Sequence, residues 1–172
     1  FFKQKTAYEI STRDWSSDVC SSDLGFAVTQ IREGRVVVLD VGCLVMKSAD
    51  SLSKRTGQFY QFFYDKIVQY GVTEIALETS FLGKNAQTFL KLGFLRGILY
   101  LLADQKQLRL AEFAPKAVKA TVTGWGDAGK DQVALMMQRL FPKLATFNTL
   151  QRNDATDALA IALCGSWQKH PC

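Results

Sequence analysis

The chain has 172 residues, 48% apolar and 22% charged, the length and composition of one globular domain, which excludes wholesale disorder. Lys and Arg outnumber Asp and Glu 21 to 16, and the excess lies beyond residue 24, where 18 basic face 12 acidic side chains. That balance suits a polyanion partner without establishing one. Four cysteines with no C-x-x-C pair argue against a zinc site or disulfide framework and fit a reducing, cytoplasmic setting. A single histidine, His170, excludes an imidazole base or a histidine metal cage, so any chemistry must use carboxylates, lysines or hydroxyls. No apolar run reaches the length of a membrane span.

Residues 1–24 lack any sustained period of 2 or 3.6, and Ser, Thr and Asp fill their second half. With no apolar core they are not a secretory signal. They resemble a translated sequencing adapter, so the expected organisation is a non-native leader over 1–24 and one domain over 25–172. From residue 25 the pattern is regular. Residues 25–31 and 35–41 read as strands joined by a Glu33-Gly34 turn, with 44–47 as a further strand. A helix over 51–70 carries the stripe Phe59, Phe62, Phe63, Ile67 and Val68 and stops before Gly71. A strand at 74–80, a strongly apolar helix at 85–104 and a strand at 108–114 follow. A short helix starts at Pro115, a favoured first-turn position. A glycine-rich loop at 124–129 leads into a helix over 130–140, and the last helix spans 154–167. A hairpin followed by alternating strands and helices predicts a mixed α/β sheet.

Two groups of residues can carry chemistry. In the strand 74–80, Ile75 and Leu77 point one way and Ala76 and Glu78 the other. A carboxylate at the end of a core strand needs a cation, a metal or solvent; simple access to water would also satisfy it. Asp154 and Asp157, at i and i+3 of a helix rich in alanine, share one face. Acids are favoured at helix starts in any case, but a small apolar helix lies close to a sheet, where two inward carboxylates repel unless a divalent cation separates them. Together with Glu78 they suit Mg²⁺, and two such ions about 4 Å apart can hydrolyse a phosphodiester without histidine. Lys119 and Lys130 flank the glycine loop, either as phosphate ligands or as solvated surface lysines.

The stretches ALETSFLGKNAQTFLKLGFLRG (76–97), APKAVKATVTGWGDAGKDQV (114–133) and NDATDALAIALC (153–164) closely resemble the RuvC family of crossover-junction endonucleases, in order and at compatible spacing. The resemblance runs from Gly25 to about Trp167. It implies an RNase H-like fold, a homodimer, cutting of four-way (Holliday) junctions with Mg²⁺ (two ions, with Mn²⁺ able to substitute), and assistance by a RuvA–RuvB motor. It implies that Glu78, Asp154 and Asp157 are catalytic metal ligands, that Lys119 and Lys130 bind DNA, and that Phe81 stacks on bases near the crossover. The chain departs from the family at its start. The family's first catalytic aspartate lies in a Gly-Ile-Asp-Pro-Gly turn on the first strand, seven residues before the glycine matching Gly25, and the leader stands there instead. Asp18 has the matching spacing and is the candidate for that ligand, without an apolar strand around it. The expected fold is therefore an RNase H-like mixed sheet flanked by helices, with the first strand replaced by the leader and its slot left open. The expected function is a Mg²⁺-dependent junction endonuclease. The alternatives are a junction-binding protein inactive for want of the first strand, and another RNase H-like nuclease. The helix 85–104, apolar nearly all round with Gly93 and Gly97 at i and i+4, predicts a buried homodimer face.

Overall fold

A tight turn and two long alternating strands dominate the first half. Strand β2 (Ser21–Arg32) and strand β3 (Arg35–Lys47) pair antiparallel from Ser21 opposite Lys47 to Arg32 opposite Arg35. Glu33 (φ 51°) and Gly34 (φ 74°) both lie in the left-handed region, as a two-residue hairpin whose twist matches its strands requires. The computed structural model describes residues 5–7, 21–79, 86–142, 144 and 153–167. Strand β3 runs unbroken where sequence reading divides it at residue 44. A register shift between Val28 and Thr29 absorbs one residue and lets pairing continue.

Helix α1 (Leu52–Tyr70) starts at Ser51, whose hydroxyl accepts the Lys54 N–H at 3.2 Å, and ends at Gly71 in the left-handed conformation. Strand β4 (Glu74–Glu78), helix α2 (Ala86–Gln105), strand β5 (Arg109–Phe113), helix α3 (Pro115–Thr123), helix α4 (Lys130–Leu140) and helix α5 (Asn153–Trp167) follow. The five-stranded sheet has the order β3-β2-β1-β4-β5, where strand β1 is Lys5–Ala7.

That short strand corrects one expectation. The slot between β2 and β4 is filled: Lys5–Ala7 pairs antiparallel with β2, Ala7 opposite Val28, and parallel with β4, Ala7 opposite Ile75. The ladder is made by backbone N–H and C=O groups, which any extended tripeptide offers, so pairing there does not demand an apolar strand. Strand β2 also begins four residues earlier than expected, and Leu24 is 1% exposed in the core.

The sheet separates two cores. On one face Leu24, Phe26, Val28, Ile75 and Leu77 meet Phe59, Phe63 and Ile67 of α1 and Leu95, Leu99 and Leu102 of α2. On the other, Ala27, Ala76 and Phe113 meet Val118 and Val122 of α3, Val133 and Met137 of α4, and the body of α5. Helix α5 crosses all five strands and leans most on β2. Within the single chain, Leu95, Leu99 and Leu102 of α2 are buried, while Leu90, Phe94 and Leu101 are exposed. One sheet face covers only one side of a helix.

Candidate active site

The site lies at the C-terminal ends of β4 and β5, where α5 begins. Glu78 is the last residue of β4, opposite Phe113, and the Thr79 N–H donates to the Phe113 carbonyl at 2.8 Å, carrying the ladder one step past it. Alternation along β4 puts Ile75 and Leu77 in the α1–α2 core and leaves Ala76 and Glu78 on the α5 side. Glu78 is half-buried there.

Helix α5 reaches that face because small residues let it. Ala155, Ala158, Ala160 and Ala162 are all buried, and Thr29 of β2 shares a buried 2.9 Å hydrogen bond with Ser166. At the start of α5 the fit is closest. A Cβ on Gly25 would lie 2.0 Å from the Asp154 carbonyl oxygen and 2.4 Å from its carbon, so only glycine fits under this turn. Strand β2 thereby sets the depth at which the half-buried Asp154 and Asp157 sit.

The electrostatics show which predicted residues meet. The Glu78 carboxyl is pushed above the ordinary glutamate range, first by burial and then by the negative charge of Asp157, while Lys119, Lys130 and Arg96 oppose the shift. Glu78, Asp157, Lys119 and Lys130, drawn from β4, α5, α3 and α4, thus share one local field. Neither lysine forms a salt bridge among the described residues. An all-oxygen donor set of mutually repelling carboxylates suits a hard divalent cation. Among the described residues, however, no three His, Cys, Asp or Glu side chains stand close enough to form a metal cage. Asp18 and Phe81 lie outside the described residues.

Arg96 escaped the sequence reading. From α2 its Nη1 donates to the Glu78 carbonyl oxygen, and its Nη2 donates to Glu112 Oε1 at 2.6 Å and Tyr100 Oη at 3.1 Å. The Tyr100 hydroxyl donates to the same Glu112 carboxylate. This guanidinium ties the C-terminal end of β4 to β5 and α2. The signal was an arginine within the apolar run from Leu92 to Ala103, where a charged side chain needs partners.

The family model for "Crossover junction endodeoxyribonuclease RuvC" matches residues 17–165. The chain belongs to the RuvC family. RuvC of Chlorobium phaeobacteroides is 40% identical over 147 residues, covering 86% of this chain and 77% of that protein. RuvC of Pelodictyon phaeoclathratiforme is 41% identical over 140 residues, covering 81% and 72%. Among solved structures, Thermus thermophilus RuvC in complex with Holliday junction substrate superposes with a TM-score of 0.79 at 20% identity, covering 95% of this chain and 93% of that one. The yeast mitochondrial Holliday junction resolvase Ydc2 superposes at 0.63 with 14% identity, covering 90% and 75%. The fold is accordingly the RNase H-like fold of RuvC, and the relatives are named as endodeoxyribonucleases, a metal-dependent nuclease family.

Proposed function

We propose that this chain is a structure-selective endodeoxyribonuclease that cuts four-way DNA junctions. The observation that carries the reading is the gathering of Glu78, Asp157, Lys119 and Lys130 in one field at a strand end of a RuvC fold. Glu78, Asp154 and Asp157 are the residues that would hold Mg²⁺, as two ions with Mn²⁺ able to substitute. Such cations, when bound, activate a water and offset charge on the leaving oxygen of a phosphodiester. Lys119 and Lys130 hold the phosphates of the strand to be cut, and Phe81 stacks on a base near the crossover. Arg96 keeps the Glu78 backbone in place against β5.

The exposed Leu90, Phe94 and Leu101 of α2 support a homodimer in which two sites make paired cuts. Light scattering at tens of micromolar should find a dimer, and a monomer would remove α2 from the interface. A cytoplasmic location and cooperation with RuvA–RuvB complete the proposal; among the described residues no helix is long and apolar enough to cross a membrane. A second reading, binding without cleavage, is favoured by one observation. The β1 tripeptide Lys5-Thr6-Ala7 brings no carboxylate to the sheet. Under it, residues 1–24 are a foreign leader and Asp18 does not replace the missing ligand.

One assay separates the readings: labelled four-way junction, duplex and RNA–DNA hybrid are incubated with the chain, with and without Mg²⁺. Junction-specific cutting supports the first. Junction binding without cutting supports the second, provided that cutting appears when residues 1–24 are exchanged for an apolar strand ending in Gly-Ile-Asp-Pro-Gly with its Asp seven residues before Gly25. In whichever form cuts, Glu78→Gln should abolish cleavage and spare binding; cleavage within tenfold of the parent would remove Glu78 from the mechanism. If the unaltered chain cuts, Asp18→Asn decides whether Asp18 is a ligand.

A further inference from the structure

Trp125 has no place in the chemistry above, yet its indole is 58% exposed at the tip of the glycine loop. Its backbone is held tightly. The Trp125 N–H donates to Thr123 Oγ1 at 3.2 Å, the Thr123 hydroxyl lies 3.0 Å from the Trp125 carbonyl, and the Ala128 N–H donates to that carbonyl at 3.2 Å. Gly124, with φ 81°, ends α3 and turns the chain out.

The loop then folds back beside the site. A Cβ on Gly126 would lie 3.1 Å from the Lys116 carbonyl oxygen, and Asp127 pairs with Lys116 at 2.9 Å. Lys116 is three residues after Phe113, the residue opposite Glu78. The tip therefore sits against the start of α3, next to the strand ends that carry Glu78. Lys119 stands on α3 just before the loop and Lys130 opens α4 just after it, so the loop joins two lysine-bearing helix ends.

An exposed indole on a pinned turn, in a loop that runs from the lysine-bearing α3 to Lys130 at the start of α4, has the makeup of a platform for a nucleobase. The lysines fix the phosphates, the flat ring takes a base face, and the preformed turn spares the cost of ordering the loop. We propose that Trp125 is a base-stacking residue, taking the face of an unpaired nucleobase in the DNA strand whose phosphates Lys119 and Lys130 hold. The proposal rests on the junction-binding reading. Duplex DNA keeps its bases stacked internally and has no face to give, so the contact adds affinity for branched or open DNA over duplex. Trp125 and Phe81 lie 44 positions apart in the chain and would serve different bases.

The test uses the full chain with a labelled four-way junction and a matched duplex in Ca²⁺ buffer at fixed salt. Trp125→Ala should weaken junction binding about tenfold and duplex binding less than about twofold, and Trp125→Phe should recover most of the loss. With 2-aminopurine placed in turn at each base flanking the crossover, the parent should quench one position that Trp125→Ala leaves bright. Equal losses for junction and duplex, or junction binding by Trp125→Ala at the parent's level, would overturn the stacking role. A parent chain with no preference for junction over duplex overturns the functional reading and this inference with it.

Discussion

The two faces of the sheet are built from different materials. The α1–α2 face is filled by Phe59, Phe63, Leu95, Leu99 and Leu102, large side chains that keep helices and strands a full layer apart. The α5 face also holds large side chains, Phe113, Val118, Met137 and Leu159 among them, but adds a run of small ones, Ala27, Ala76, Ala158, Ala160 and Ala162, with Gly25 under the helix start. Close approach there is what lets a carboxylate as short as Asp157 feel Glu78 across the gap between layers. Both faces hold a core, and the small residues of one let α5 come close enough for the candidate site to form. The candidate site thereby lies on one side of a sheet that has a core on both.

That arrangement can be broken from either side. Phe63→Ala, on the α1–α2 face, should cost about 3–5 kcal/mol in urea unfolding while leaving junction affinity of the folded chain unchanged. Gly25→Ala adds one methyl on the other face and should cost about 1–3 kcal/mol, since the Asp154 carbonyl must move to admit it. Unlike Phe63→Ala, it should also impair metal binding, read by Mn²⁺ line broadening. Parent-like stability and metal binding in Gly25→Ala would mean that α5 need not approach so closely. Lys119→Ala and Lys130→Ala should each leave stability unchanged and lower the slope of log affinity against log salt by about one. Unchanged slopes would return both lysines to solvent.

Glu78 gives the smallest and most specific test. Its folded-state carboxyl titrates above the unfolded one, so the folded chain binds the proton more tightly. Ionisation of Glu78 therefore destabilises the metal-free protein as pH rises through the ordinary glutamate range and beyond, and protonation relieves it. In EDTA at neutral pH, Glu78→Gln should melt slightly above the parent, and the gap should close as pH falls below the ordinary glutamate range. A parent that melts higher at neutral pH would mean that Glu78 is held by a favourable charge instead.

Much of this was legible in the chain itself. Period-2 alternation predicted that Glu78 would turn away from Ile75 and Leu77, because the side-chain period of a strand is set by its own backbone. The Glu33-Gly34 turn and the stop at Gly71 were readable for the same reason: each is a short-range backbone demand met by the residues on the spot. Tertiary structure decided the rest. Lys5–Ala7 entered the sheet because two strands on either side offered unpaired backbone groups, a condition no tripeptide reveals. Arg96 found the Glu78 carbonyl and Glu112 only because α2 packs across β4 and β5. Gly25 became obligatory only once the Asp154 turn settled above it. Contacts between residues far apart in sequence depend on how whole elements pack, and periodicity records which face a residue takes but not what it meets there.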